Sequence, residues 1–374
     1  MTRERFPVRS RRASLIFGYV LGTVSPTDPP CTGPGLATDR IDIPEVSLRE
    51  LPRFPLADIP TPVQRLERLS AYLGGPAILM KRDDMTGLAF GGNKTRKLEF
   101  LVAEALAGGA DTLLTAGAAQ SNHCRQTAAA AAKAGKRCDL VLGGAAPSML
   151  QGNLLLDTLL GARIHWAGSD RRGETLEDVA SSLRKEGLNP CLIPYGGSSP
   201  LGAAGYVLAM AELNGQLPFE EVCVDAMVFA SSSGGTHAGL IAGALAFGYT
   251  GRILGVCVEK GEQGERALPG TIISIARGTA RLLGAPDLVP EEIRVFLDHR
   301  YTGEGYGIVG PREREAIRLL ARLEGIFLDP VYTAKAMGGL IDMIVRGEFT
   351  KKERVLFWHT GGTPALFAHA ADIA

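Results

Sequence analysis

Met227-Val228-Phe229-Ala230-Ser231-Ser232-Ser233-Gly234-Gly235-Thr236-His237-Ala238-Gly239-Leu240-Ile241-Ala242-Gly243-Ala244 reads as an apolar strand, a turn of serines and glycines, and a small-residue helix, in that order. An uninterrupted apolar run suits a strand covered on both faces, the kind found in parallel sheets. The turn offers backbone N–H groups at a helix start together with several hydroxyls, a pattern that holds a phosphate without a lysine. It has no Gly-Lys-Ser/Thr of a Walker loop and no clean GxGxxG fingerprint. The same residues also read as a plain capped helix after a serine-rich turn.

Working outward, the same unit recurs. Leu113-Leu114-Thr115-Ala116-Gly117 runs into Gln120-Ser121-Asn122-His123, Ile193-Pro194 into Tyr195-Gly196-Gly197-Ser198-Ser199, and Val355-Leu356-Phe357-Trp358 into His359-Thr360-Gly361-Gly362-Thr363. Ligands of open α/β sheets sit at the carboxyl ends of strands, where these loops should gather. Further strands are expected at 77–80, 138–142, 163–166, 190–193 and 253–258, with helices at 97–107, 121–134, 150–160, 175–186 and 201–213. The fold class is therefore α/β, with mostly parallel sheets covered by helices. No repeat period or heptad run is present, and composition marks no domain boundary.

The stretch Gly91-Gly92-Asn93-Lys94-Thr95-Arg96-Lys97 sets a lysine beside glycines, in a turn just ahead of the helical pattern that begins at Lys97. Glycines let backbone approach a flat cofactor closely. Flanking by Arg96 and Lys97, with partial desolvation, should lower the Lys94 pKa enough for Schiff-base chemistry. The bland alternative is a basic surface turn capping a helix.

At 374 residues and 45% hydrophobic content the chain can bury a large core. Its 40 basic and 40 acidic residues leave a formal net charge of zero. No global field then recruits nucleic acid or an anionic membrane, and a small-molecule partner is expected. The 6 cysteines form no CxxC pair and read as reduced core thiols of a cytoplasmic protein. Arg3, Arg5, Arg9, Arg11 and Arg12 before the apolar run 13–21 imitate a targeting peptide. Residues 1–50 read as a disordered tail, an over-extended start or a targeting segment.

Ser121 and Asn122 open a helix, where Ser121 is placed to relay a proton and Asn122 to bond a phenolate oxygen; either also serves as a simple N-cap. His123 and His237 lack HExxH or paired-carboxylate spacing, so no metal site is expected. Tyr306 and Tyr332 lie in loops marked by glycine or proline that suit a lid, or else are merely packed. A Schiff-base lysine, a phosphate cradle and an amide for a phenolate together describe pyridoxal 5'-phosphate.

These residues carry a resemblance. KRDDMTGLAFGGNKTRKLEF (81–100), LLTAGAAQSNHCRQTAAAAAK (113–133), GGSSPLGAAGY (196–206), SSSGGTHAG (231–239), LARLEGIFLDPVYTAKAMGGLIDMI (320–344) and HTGGTPALF (359–367) resemble the fold type II pyridoxal-phosphate enzymes. The group in question contains D-cysteine desulfhydrase, 1-aminocyclopropane-1-carboxylate (ACC) deaminase and L-cysteate sulfo-lyase, and the likeness runs from about Phe54 to about Ala368. It implies a tryptophan synthase β-like architecture of two open twisted sheets. A small domain at 97–201 would be inserted in a large one made of 51–96 and 202–374, in a homodimer.

By that resemblance Lys94 is the Schiff-base lysine and Asn122 bonds the 3'-oxygen. Ser233, Gly234, Gly235 and Thr236 hold the phosphate, and Ser121, His123, Tyr306 and Tyr332 face a small amino-acid substrate. Deaminases carry glutamate after the DPVY tyrosine and leucine before the late Gly-Gly pair, where this chain has Thr333 and Thr360, both placed at the cofactor. A carboxylate near the pyridine nitrogen would keep it protonated and help open a cyclopropane; a hydroxyl leaves it closer to neutral, sufficient for a good β-leaving group. His123, where the deaminases usually have glutamine, points the same way. The expectation is D-cysteine converted to pyruvate, hydrogen sulfide and ammonia, with cysteate sulfo-lysis and ACC deamination as rivals.

Overall fold

The strand-forming runs sort into two sheets in the computed structural model, which describes residues 48, 50–169, 174–219, 222–259 and 262–373. The chain passes through β1 (Val63–Arg65), α1 (Glu67–Leu73), β2 (Ala77–Arg82), α2 (Asn93–Ala107), β3 (Thr112–Ala118), α3 (Asn122–Lys133) and β4 (Arg137–Gly143). It continues through α4 (Gly152–Leu159), β5 (Arg163–Trp166), α5 (Leu176–Lys185), β6 (Pro190–Leu192), α6 (Pro200–Gln216), β7 (Ala226–Ser231), α7 (Gly235–Phe247) and β8 (Arg252–Cys257). It ends with α8 (Glu262–Leu282), β9 (Phe296–Asp298), α9 (Pro311–Glu324), α10 (Thr333–Val345), β10 (Arg354–His359) and the short α11 (Ala365–Ala368) and α12 (Ala370–Ile373).

One sheet is 6-stranded in the order β1-β2-β10-β7-β8-β9 and the other 4-stranded in the order β5-β4-β3-β6. Every pairing is parallel except β1 with β2. Both faces of the larger sheet are covered, as the apolar runs require. Met80, Val228 and Phe357 pack with Leu320, Met337 and Leu340 of α9 and α10. Their chain neighbours Leu79, Met227 and Trp358 turn to the opposite face, against Tyr206, Met210 and Leu240 of α6 and α7. Each such side chain contributes about 1.5–3 kcal/mol by leaving water. The smaller sheet repeats the scheme, with Leu113 and Leu140 packed with Leu98 and Ala128, and Leu114 and Val141 with Ala180 and Leu183.

Several expectations need correction. α2 begins at Asn93 rather than Lys97, so Lys94 is a helical residue and not part of a preceding turn. β1, β9 and the helices α8, α9 and α10 were not foreseen. Strands of three residues carry too little periodicity to be read, and α8 has Pro269 in its interior, a residue that argues against a helix. Cys124, Cys138, Cys191 and Cys257 carry free thiols, but Cys223 is disulfide-bonded. The readings made for residues 1–47, and that of Cys31 with them, fall outside the described residues. Among the described residues no helix is long and apolar enough to cross a membrane.

Candidate active site

Lys94 stands in the first turn of α2, and the start of that helix is fixed by several contacts. Gly92, just ahead, has φ 127° and ψ 167°, a region open essentially to glycine. The amides that a helix start leaves over find acceptors: Asn93 N–H donates to the Thr360 carbonyl at 3.0 Å and Thr95 N–H to Gln126 Oε1 at 2.7 Å. Arg96 anchors the first turn, with Nε 3.0 Å from Asp83 Oδ2 and Nη1 2.9 Å from Glu212 Oε2. Asp83 also accepts from Thr61 Oγ1 (2.9 Å), Tyr206 OH (2.7 Å) and Trp358 Nε1 (2.8 Å). Burial alone would raise its pKa, yet the Arg96 guanidinium and these donors hold it at about 2.

The Lys94 amine donates to the Gly196 carbonyl at 3.0 Å. Lys97 Nζ reaches the same oxygen at 3.2 Å and Ser198 Oγ at 3.4 Å. Enclosure lowers Lys94 to about 8. Burial, helped by the Lys94 charge, takes Lys97 well below its ordinary range. The expected lowering is present and comes from the desolvation read in the sequence, not from the flanking cations: Arg96 is turned onto carboxylates, and Lys97 is itself well below its ordinary range.

The Gly-Gly turn after β7 opens α7 as foreseen. Gly234 has φ 86°, and the Gly235 N–H is held by Ser198 Oγ at 3.1 Å, which in turn shares a proton with Ser233 Oγ at 2.7 Å. Thr236 Oγ1 accepts from Asn93 Nδ2 at 3.0 Å, tying this loop to α2. A Cβ on Gly235 would meet Lys97 Nζ at 2.9 Å and one on Gly196 would meet Ser233 Oγ at 2.3 Å, so both glycines are needed for the close approach.

At the start of α3, Ser121 is both N-cap and cleft residue, its Oγ accepting from Cys124 N–H at 3.2 Å. Asn122 Oδ1 accepts from Asn153 Nδ2 at 2.8 Å, which assigns the amide and leaves Nδ2 as donor. His123 Nε2 lies 3.0 Å from Thr115 Oγ1. Burial keeps both cleft histidines neutral, His123 well below its usual range and His237 at about 3.

Tyr306 and Tyr332 meet edge to face, hydroxyl to hydroxyl at 2.5 Å. Burial raises both phenol pKa values, so both stay protonated at neutral pH.

The loops at the carboxyl ends of β2, β3, β6, β7 and β10 thus converge on one cleft. Lys94, Ser121, Asn122, His123, Ser233, Gly234, Thr236, Tyr332 and Thr360 line it. Gly235 joins through its amide and Tyr306 through Tyr332. Thr333 is not among the lining residues: its hydroxyl is buried and donates to Asp329 Oδ1 at 2.7 Å. Tyr195, Ser198, Asn153 and Gln126 take part without having been assigned roles from the sequence, and Lys97, read there only as a flanking charge, shares the Gly196 carbonyl with Lys94. Only Tyr195 and Ser198 carried a signal, their place in a glycine-rich loop after a strand. Among the described residues there is no group of His, Cys, Asp or Glu fit to hold a metal ion.

The family of pyridoxal-phosphate dependent enzymes matches residues 55–361. The crystal structure of an ACC deaminase homologue is 39% identical, superposes with a TM-score of 0.79, and covers 88% of this chain and 97% of its own. The processed form of threonine deaminase isoform 2 from Solanum lycopersicum matches at 17% identity and a TM-score of 0.61, over 88% of this chain and 85% of its own. A pyridoxal 5'-phosphate-dependent aspartate racemase matches at 18% identity and a TM-score of 0.54, over 81% of this chain and 90% of its own. The last two likenesses bear on the fold alone.

Proposed function

Because the chain belongs to the family of pyridoxal-phosphate dependent enzymes, we propose that it is a lyase that eliminates the β-substituent of a small amino acid, D-cysteine foremost, to pyruvate, hydrogen sulfide and ammonia. Its cofactor is pyridoxal phosphate and its architecture is that of fold type II. The observation that carries the elimination reading is the tyrosine pair: two protonated phenols 2.5 Å apart, of which Tyr332 lines the same cleft as Lys94, a lysine whose pKa is about 8. A pair of hydrogen-bond donors and a base are thereby set on one cleft.

The residues fit the cofactor. The first turn of α7 with Ser233 and Thr236 would make a cradle for a phosphate, and Gly235 and Gly196 let its backbone close up on Ser198, Lys97 and Ser233. Asn122 Nδ2, freed by Asn153, is the donor for the phenolic oxygen. When bound, pyridoxal phosphate supplies the sink for negative charge at the substrate α-carbon. Lys94 holds the cofactor and, once free and neutral, takes the α-proton. The phenols, kept protonated by burial, cannot accept that proton and are suited instead to donate hydrogen bonds to the departing group. Ser121 donates to the substrate carboxylate, with His123 nearby. Thr360 is the hydroxyl left for the pyridine ring, since Thr333 is committed to Asp329.

A second reading, ACC deamination, is favoured by the 39% identity to the deaminase homologue. Against it stands the lack of a carboxylate at position 333. The test offers D-cysteine, L-cysteine, L-cysteate and ACC side by side to the cofactor-loaded protein. Sulfide with pyruvate from D-cysteine is expected. Sulfite from cysteate, or 2-oxobutanoate from ACC as the dominant product, would overturn the substrate assignment and leave fold and cofactor standing.

A further inference from the structure

Lys335, in the first turn of α10, is wholly buried and is not one of the cleft-lining residues. A lysine amine has three N–H donors, and here they meet three acceptors: the carbonyls of Thr302 at 3.1 Å and Ile308 at 3.3 Å, and Glu313 Oε1 at 3.0 Å. Glu313 is itself fixed, because its Oε2 accepts from Gly310 N–H at 2.9 Å at the start of α9. One nitrogen therefore ties both ends of the segment 302–308 to a rigid helix pair.

The segment has little conformational preference of its own. Gly303, Gly305 and Gly307 carry φ values of 62°, 145° and 75°, and only Glu304 and Tyr306 separate them. Such a glycine-rich span is costly to order and is held only by what pins it. Its one aromatic residue is Tyr306, whose hydroxyl sits 2.5 Å from that of Tyr332. Tyr332 is the N-cap of α10, three residues before Lys335. The helix start that presents one tyrosine thus also holds the loop that presents the other.

We infer that Lys335 is a positioning residue for the reaction, which by clamping the carbonyls of Thr302 and Ile308 sets the Tyr306 hydroxyl against Tyr332 at the cleft. This rests on the reading that the tyrosine pair hydrogen-bonds the leaving group. The rival account is a buried ion pair with Glu313 that only stabilises the fold.

A double-mutant cycle separates the two. Lys335→Met, Tyr306→Phe and the double variant are compared as holoenzymes, on whichever offered amino acid the wild type turns over. Misplacing a group that contacts the reacting atoms by about 1 Å costs on the order of 100-fold. Each single variant should therefore lose kcat on that scale while KM moves by less than about threefold, with the visible absorbance of the bound cofactor retained. The double variant should be no slower than Tyr306→Phe. Losses that multiply, or a Lys335→Met enzyme with wild-type turnover, would overturn the inference. Full turnover by Tyr306→Phe would instead remove the role given to the tyrosine pair, a distinct failure. Gly303→Ala guards against a Lys335→Met protein that does not fold. Gly303 is exposed, and its added Cβ would sit 3.0 Å from Lys335 Nζ at a φ that disfavours alanine; the same non-additivity with Tyr306→Phe is expected.

Discussion

The proton on Lys94 governs when the cleft can react with a carbonyl, since only a neutral amine is nucleophilic. Enclosure brings its pKa from 10.5 to about 8. For the protein stripped of cofactor, the rate of pyridoxal phosphate capture should climb about tenfold per pH unit below 8 and level off above it. Stopped-flow absorbance between pH 6 and 10 reads this directly, and a rate still climbing at pH 10 would show an unshifted amine. Lys94 was legible in the sequence because glycines and an asparagine crowd it. Lys97, Ser198 and Asn153 were not, because their roles come from the meeting of separate loops: Lys97 shares the Gly196 carbonyl with Lys94, and Asn153 matters only through the amide it orients.

At the scale of elements, the strands were legible where both faces are buried, and the helices where glycine or polar breakers end them. The start of α2 was not, although it carries the lysine. Asn93 to Arg96 look like a basic turn, and their helical conformation depends on acceptors from β10's loop and from α3, which no local pattern announces. Arg96 is the hinge of this arrangement, with Asp83 as the acceptor for it, Thr61, Tyr206 and Trp358. Replacing Asp83 by Asn removes a buried charge and leaves Arg96 partly uncompensated. Breaking such a pair costs about 3–5 kcal/mol. Asp83→Asn should therefore lower the urea midpoint markedly and loosen cofactor binding along with it, because the first turn of α2 is the element most directly held. Unchanged stability would mean that Glu212 alone suffices to anchor Arg96.

At the scale of the whole molecule, the division into two sheets could be anticipated only through resemblance. Composition is uniform, and β2 pairs with β10 from the far end of the chain, so the order of strands is invisible to any local reading. Invisible for the same reason is the carboxyl of Asp157 on α4. It is fully buried, neither oxygen has a hydrogen-bond partner among the described residues, and burial raises its pKa to about 8 despite the Arg125 charge nearby. A carboxyl with a raised folded pKa favours the native state fully only below its unfolded value near 3.8, and that contribution is lost as pH rises toward 8. Asp83 has the opposite sign: its contribution is present above 3.8 and is lost as pH falls toward 2. Asp157→Asn isolates the first effect, because the amide keeps the shape and cannot ionise. Its melting temperature should match the wild type near pH 4, rise above it between pH 4 and 8, and keep a constant advantage of a few kcal/mol beyond pH 8. A wild type as stable as the variant at pH 8 would mean that Asp157 is ionised and paired in the folded protein, with Arg125 as the partner that neutralises it.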